Sequence, residues 1–323
     1  MAMNEKKPMK YGFLLMPSYS MIAFSSAVEV MRMANHLSGE QLYEWPVYSM
    51  DGNPVKASNG LPLSVDAGID NLADLDILFV VSGTKPETIW DEQLNQFLHR
   101  CKRKKMIIGG MCSGAFLLAK SGLLDGYRCT IHWEYIASLR ETAPAVIVSE
   151  ELFELDRDRY TVSGGSAPLD MMLELVRQAH GKDLVVSISE QFVCDRMRGK
   201  YDKQRIPLRL LLGTDQPKLT EAVELMESNL EELIAMDDLA SLVGISRRQL
   251  ERLFKKYLGC VPRQYYLNLR LKKARQLLLQ TSCSVSQIAI ACGFVSSSHF
   301  SKSYRDVFGV SPREERQSQR LKI

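Results

Sequence analysis

Two groups of residues in this 323-residue sequence have types and spacings that can do chemistry. The first is a thiol at a bend. Met106-Ile107-Ile108-Gly109-Gly110-Met111-Cys112-Ser113-Gly114-Ala115-Phe116 reads as strand, tight turn and helix, with Cys112 where the chain turns. Glycines around the bend allow a sharp turn, and a helix N-terminus draws a thiol toward its thiolate form. His132 follows in Thr130-Ile131-His132-Trp133. Cysteine and histidine side by side form a nucleophile and base for acyl transfer. The second group is cationic. Ser246-Arg247-Arg248-Gln249 is a capping box that opens a helix, in which hydroxyl and amide side chains satisfy orphan backbone N–H groups. Along that helix Leu250, Leu253, Phe254 and Tyr257 share one stripe, so Arg248, Arg252 and Lys255 share the opposite face, flanked by Glu251 and Lys256. Long donors near the start of a helix that is locked from behind suit base edges in a DNA major groove.

The elements that must position these groups divide the chain in two. Residues 11–16, 77–81, 106–108 and 146–148 are short apolar runs that read as buried strands, and residues 27–37, 92–103, 115–121 and 167–180 repeat apolar residues at helical spacing. Their alternation predicts a flavodoxin-like parallel sheet sandwiched by helices. A further helix over 183–198 leads into the polar stretch Arg198-Gly199-Lys200-Tyr201-Asp202-Lys203-Gln204-Arg205-Ile206-Pro207. We therefore expect a first domain over 1–200, a connection over 201–217 and an all-helical domain over 218–323.

The helical domain contains a repeat. Gly244, Ser246, Leu250, Phe254, Lys255, Gly259, Pro262 and Arg263 recur as Gly293, Ser296, Phe300, Tyr304, Arg305, Gly309, Pro312 and Arg313. Each copy predicts a helix-turn-helix. In the first, Asp237 or Asp238 caps a short helix with Leu239, Leu242 and Val243 on one face, before the turn at Gly244-Ile245. In the second, Val285, Ile288 and Ala289 precede Gly293-Phe294, and Phe300, Tyr304 and Val307 bury a helix whose Ser298, Ser301, Lys302 and Arg305 face outward. Leu267, Leu271, Ala274 and Leu278 mark a connecting helix of about eighteen residues, roughly 27 Å. That length brings two reading helices toward successive grooves about 34 Å apart. Charge agrees: from Asp237 onward there are 16 Lys and Arg against 6 Asp and Glu, in a chain whose net charge is only +3. A basic tail on an acidic body fits a polyanionic partner.

The stretch from Lys218 to Arg316, with Ser246-Arg247-Arg248-Gln249-Leu250-Glu251-Arg252-Leu253-Phe254-Lys255 and Ile288-Ala289-Ile290-Ala291-Cys292-Gly293-Phe294, resembles the AraC/XylS family of activators. The resemblance implies base contacts by Arg248, Glu251 and Arg252 in the first unit and by Ser297, Ser298, Ser301 and Lys302 in the second. From about Tyr11 to His180 the chain resembles the PfpI-like branch of the class I glutamine-amidotransferase superfamily, joined to an AraC-type tail as in GlxA-type regulators. In the enzymatic relatives an acid after the first strand supports the cysteine. Here Ala23 stands at that place and Glu29 lies two helical turns on, which implies a sensor rather than an enzyme.

The expected function is thus a sequence-specific transcription regulator, an activator of catabolic genes, that binds double-stranded promoter DNA and works with RNA polymerase. Its effector site is expected beside Cys112, Ser113, His132, Trp133, Ser82 and Gly83, in the crevice beyond the strand ends. Regulators of this type respond to amino-acid-like nitrogen compounds, so the resemblance implies glycine betaine, carnitine or an arginine-like ligand. Similarity around Leu210-Leu211-Leu212-Gly213-Thr214 and Glu224-Leu225-Met226-Glu227-Ser228-Asn229 supports it. Trp45, Trp90 and Trp133 could hold a quaternary ammonium by cation–π attraction. A homodimer is expected, with residues 167–198 at its interface. The alternative is a cysteine-dependent hydrolase or amidotransferase-like enzyme using Cys112 and His132, with a DNA-tethering tail. Seven scattered cysteines suggest neither a disulfide framework nor a metal site. No cofactor is called for. Pro17, Ser18 and Ser20 interrupt the apolar start, so it reads as a first strand rather than a leader, and a cytoplasmic protein is expected.

Overall fold

Runs that are apolar on both sides make strands that must be covered on both faces, and three such runs form the centre of one sheet. In a computed structural model, which describes residues 7–194, 197–204 and 216–320, the chain divides into two units between Gln204 and Arg205. The first unit contains β1 (Met9–Leu15), β2 (Tyr43–Glu44), β3 (Val47–Ser49), β4 (Ala67–Gly68), β5 (Ile77–Ser82), β6 (Ile107–Cys112), β7 (Phe153–Asp156) and β8 (Arg159–Val162). They lie in the order β7-β8-β6-β5-β1-β3-β4, with β2 also paired to β1. Every pairing is parallel except β7 with β8.

Helices α1 (Met21–Ser38), α2 (Glu92–Arg103), α3 (Gly114–Lys120), α4 (Ile136–Thr142), α5 (Ala167–His180) and α6 (Lys182–Gln191) cover the sheet. Alternation along the strands separates two cores. Phe13, Phe79 and Val81 pack with Val30 and Met31 of α1 and Met171 and Val176 of α5. Leu14, Leu78 and Val80 pack on the other side with Leu94, Phe97, Leu117 and Leu118. Each such side chain contributes about 1.5–3 kcal/mol by leaving water.

Several sequence expectations change. The strand expected at 146–148 is Ile147–Val148, which pairs with Arg128–Cys129 outside the main sheet and leaves Ile147 exposed. The helix expected over 183–198 ends at Gln191, and part of that span, 195–196, is outside the described residues. The apolar residues of α5 are taken up by its own unit, and Glu174 is bound by Arg177 and Gln178. Of the expected connection, 205–215 lies outside the described residues, while Pro217 already opens a helix.

Among its described residues the second unit has helices as its regular elements: α7 (Pro217–Ser228), α8 (Met236–Leu242), α9 (Arg247–Leu258), α10 (Pro262–Gln280), α11 (Val285–Ala291), α12 (Ser297–Phe308) and α13 (Pro312–Arg320). Leu219, Val223, Leu239, Val243, Leu250 and Phe254 form the core around the first helix pair. Two apolar residues fall outside the stripes assigned to them: Leu242 is 60% exposed and Val307 is 43% exposed. Asp237 and Asp238 do not cap α8, which begins at Met236 after Ala235; they occupy its first turn, where carboxylates favour the helix dipole. No helix among the described residues is long and apolar enough to cross a membrane.

Close packing of α3 on β5 depends on Gly114, where an added Cβ would overlap the Val80 carbonyl oxygen. Backbone on both sides leaves no flexible atom to yield, so Gly114→Ala should destabilise the first unit by about 1–3 kcal/mol or more. The check is thermal unfolding of the purified variant; an unchanged midpoint would contradict this packing.

Candidate functional site

The second unit builds two helix-turn-helix frames by the same local chemistry. Between α8 and α9 the chain turns at Gly244, whose φ of +70° suits glycine, and Ser246 caps α9. The Ser246 hydroxyl accepts from the Gln249 amide, and the Gln249 side chain accepts from the Ser246 amide at 2.8 Å. Leu250 and Phe254 are fully buried beneath this helix, with Leu253 and Tyr257 half-buried. Its opposite face is in solvent: Arg247, Arg248, Glu251, Arg252 and Lys255 are all exposed. They are not equivalent. Arg247 is bound to Glu251 at 3.1 Å and to Asp237 at 3.2 Å, which fixes both its guanidinium and the Glu251 carboxylate. Arg248, Arg252 and Lys255 have no ion pair among the described residues.

The second frame starts with a capping box that sequence reading passed over, Ser284 with Gln287 ahead of α11. Its signal, Ser-x-x-Gln before an apolar run, was there to be used. Gly293, also at a φ of +70°, makes the turn, and Ser296 caps α12 through the His299 amide. Phe300 and Tyr304 are fully buried, and Tyr304 donates to the carboxylate of Glu315 on α13. Ser297, Ser298, Lys302 and Arg305 are exposed, and Ser301 is half-buried. The Ser298 hydroxyl shares a 2.7 Å hydrogen bond with that of Ser296, and Arg305 is paired with Glu314 at 3.5 Å. Lys302 is the cation on this face with no ion pair among the described residues. The second face therefore offers fewer available charges than the first.

In the first unit Cys112 sits at the bend expected of it, with a φ of +57°, a left-handed conformation that a β-carbon disfavours. The His132 amide donates to the Cys112 carbonyl at 3.1 Å. Gly164 faces both side chains: a Cβ there would overlap the His132 ring and lie 3.0 Å from Cys112 Sγ. Glu134, which sequence reading missed, lies with its carboxylate 3.7 Å from His132 Nδ1. A cysteine, a histidine and an acid are thus assembled, although the acid comes from the His-x-Glu spacing and not from α1. Ala23 is buried in the core, and Glu29 pairs with Arg32.

The resting charge of this site differs from expectation. Burial pushes the Cys112 thiol up to about 11, against the lowering effect of hydrogen bonds from the Ser113 amide and the Ser20 side chain. Burial also holds His132 below the usual imidazole range, and its Nδ1 accepts from the Glu134 amide at 3.4 Å. The pair is neutral. Ser113 is buried and donates to the Gly83 carbonyl at 2.6 Å, while Ser82 and Gly83 pack against residues 18–20. A Cβ on Gly83 would overlap the Ser18 carbonyl oxygen, so this edge is closed by protein. Trp133 is 39% exposed beside His132. The other tryptophans are elsewhere: Trp45 packs against the α1 side of the sheet and Trp90 against the α2 side, where it receives Lys120 at 4.6 Å. The three do not form one aromatic cage.

A flavodoxin-like unit with a cysteine elbow, followed by two capped helix-turn-helix frames, defines a class, and comparison with known proteins agrees. Residues 14–178 match the DJ-1/PfpI family, and residues 239–318 match a helix-turn-helix domain family. The chain belongs to the transcriptional regulators that join a DJ-1/PfpI domain to an AraC-type helix-turn-helix domain, the GlxA type. It is 51% identical over 318 residues to the HTH-type transcriptional regulator GbdR of Pseudomonas aeruginosa, covering 98% of this chain and 87% of GbdR. To the HTH-type transcriptional regulator GlxA of Rhizobium meliloti it is 33% identical, covering 96% of each chain. A crystal structure of an AraC family transcriptional regulator from Pseudomonas putida, 33% identical, superposes with a TM-score of 0.53 over 57% of this chain and all of that one. These relatives are regulators, and the hydrolase alternative finds no support among them.

The buried thiol makes a measurable statement. Alkylation proceeds through the thiolate, so the rate at Cys112 should rise about tenfold per pH unit and keep climbing past pH 9, where an ordinary thiol near 8.5 has levelled off. Mass-spectrometric labelling with iodoacetamide over pH 7–10 reads it. A plateau below pH 8 would mean that the helix N-terminus prevails over burial.

Proposed function

We propose that this regulator reads promoter DNA with the exposed faces of α9 and α12. In this reading Arg248, Arg252 and Lys302 contact base edges, and Lys255 contacts phosphates. Ser297, Ser298 and Ser301 add short polar contacts in the second groove. Arg247 and Glu251, tied to each other, orient the first face, and Arg305 flanks the second. The observation that carries the proposal is the pairing of Arg248, Arg252 and Lys255 on one solvated face with Leu250 and Phe254 buried beneath the same helix. Such a helix holds its cations at fixed positions while leaving them to an external anion.

The first unit, in the same proposal, senses a small amino-acid-like or betaine-like metabolite in the crevice beside Cys112 and His132. Trp133 and the Glu134 carboxylate at its mouth suit a cationic nitrogen compound such as glycine betaine, carnitine or arginine. Binding there favours one arrangement of the regulator over another. The regulator acts in the cytoplasm as a homodimer, with exposed residues of 167–198 at its interface, and engages RNA polymerase to activate catabolic genes.

On a duplex selected by the full-length protein from a randomised library, Arg248→Ala should cost about 1–3 kcal/mol and relax preference at one base position. Lys255→Ala should weaken all sequences alike and lower the slope of log affinity against log salt by about one. Gel-shift titrations at several salt concentrations distinguish the two. A uniform loss from Arg248→Ala would remove it from base reading, and isothermal calorimetry without heat for betaine, carnitine and arginine would remove the effector class.

A further inference from the structure

Two helices that read neighbouring grooves need a fixed separation, and α10 alone does not provide it. A helix of 19 residues sets a length of roughly 28 Å but not the orientation of what hangs from either end. Two side chains one turn apart on α10 supply the missing constraint. The Tyr266 hydroxyl donates to the Asn229 carbonyl and accepts from the Ile234 amide at 3.4 Å, which ties α10 to the loop that leads into the first helix-turn-helix. Four residues on, Arg270 is buried. Its Nε donates to the Cys292 carbonyl and its Nη2 to the Gly293 carbonyl, both at 2.7 Å, and its guanidinium lies 3.9 Å from the Phe294 ring centre.

Cys292 and Gly293 open the turn of the second helix-turn-helix. That turn closes without Arg270: the Cys292, Gly293 and Phe294 amides donate to the carbonyls of Ile288, Ile290 and Ala289 at 3.1, 2.8 and 2.8 Å. Arg270 therefore adds attachment of the turn to α10, not formation of the turn. The same turn also touches the first frame. A Cβ on Gly293 would lie 2.7 Å from the carbonyl oxygens of both Leu230 and Glu231, in the loop that Tyr266 holds. The entrance of one frame and the turn of the other are thus stacked together, each held by a neighbouring residue of one helix face.

We propose that Arg270 is a positioning residue that sets the spacing and rotation at which α12 meets DNA relative to α9. The proposal rests on the reading that both helices contact the duplex. A guanidinium forks two donors onto adjacent carbonyls, whereas a lysine ammonium is a point donor that cannot hold both in a fixed plane. The Lys variant thus retains the charge and loses the fork.

The test uses the full-length protein and a duplex it selects from a randomised library, with the two contacted segments located by hydroxyl-radical footprinting. Inserting or deleting one base pair between them displaces the second segment by about 3.4 Å and turns it by roughly a tenth of a helical turn. Wild type should lose affinity about tenfold or more on the altered duplexes, and Arg270→Lys should shrink that ratio to about threefold or less, since a freed second frame can follow the shifted groove. Its melting temperature should stay near that of wild type. A merely structural role would lower affinity for native and altered spacing alike and leave the ratio intact, which overturns the proposal, as does a wild type indifferent to spacing. Should Arg270→Lys fail to fold, Tyr266→Phe, which removes the other tie, must show the same relaxed ratio, and an unchanged ratio there counts against the proposal. A wild type that selects no duplex at all defeats the DNA-reading assignment itself, a result distinct from selection without spacing preference.

Discussion

A helix can hold a row of cations toward a polyanion only if its other face cannot roll. In this regulator that constraint is met by large residues four positions apart, Leu250 and Phe254 under α9 and Phe300 and Tyr304 under α12. Capping supplements it. Ser246 and Ser296 each satisfy an orphan amide at the N-terminal end, which in α9 is the end nearest the arginines, where fraying would blur their positions. The two frames then differ in the charge they leave available. The first retains three cations without ion pairs among the described residues, while the second retains Lys302, with Arg305 bound to Glu314. One fold, used twice, therefore presents two faces of unequal strength.

The first unit is governed by close approach of backbone. Gly110 lies against Ala115 and Gly114 against Val80, so the strand-to-helix turn at Cys112 is pressed onto the sheet and the cysteine is driven to a positive φ. That geometry belongs to a reactive elbow. Its electrostatics do not, because burial pushes the thiol up and holds the half-buried imidazole of His132 below its usual range. Shape and reactivity are thus separated at this bend: the elbow geometry persists while the electrostatics of an activated thiol do not.

Much of this was legible in the residues, for reasons that also explain the failures. Helices α2 and α5 begin and end where their apolar periodicity does, and the capping box at Ser246 is a purely local signal. Leu242 and Val307 satisfy the same periodicity yet are exposed, since spacing alone does not tell where a helix passes the edge of its core. The two-residue edge strands β2 and β4 have too little pattern to announce themselves. Glu134 was hidden because the acid was sought after the first strand, although the His-x-Glu spacing places it beside the imidazole. The thiol was expected to be activated because a helix start is visible in sequence and burial is not. Arg270 likewise looks like any helix arginine until its partners, more than twenty residues away, are known.

Gln204, the last residue of the first unit, has its side-chain amide donating to Thr130 Oγ1 and to the carbonyls of Ile131 and Glu151, at 2.8, 3.0 and 2.9 Å. The Ile131 carbonyl belongs to the peptide that leads directly into His132. The polypeptide consequently leaves its first unit from a residue anchored directly beside the segment that carries His132. One side-chain amide thus fastens three separate stretches of the first unit, at Thr130, Ile131 and Glu151, to the point where that unit ends.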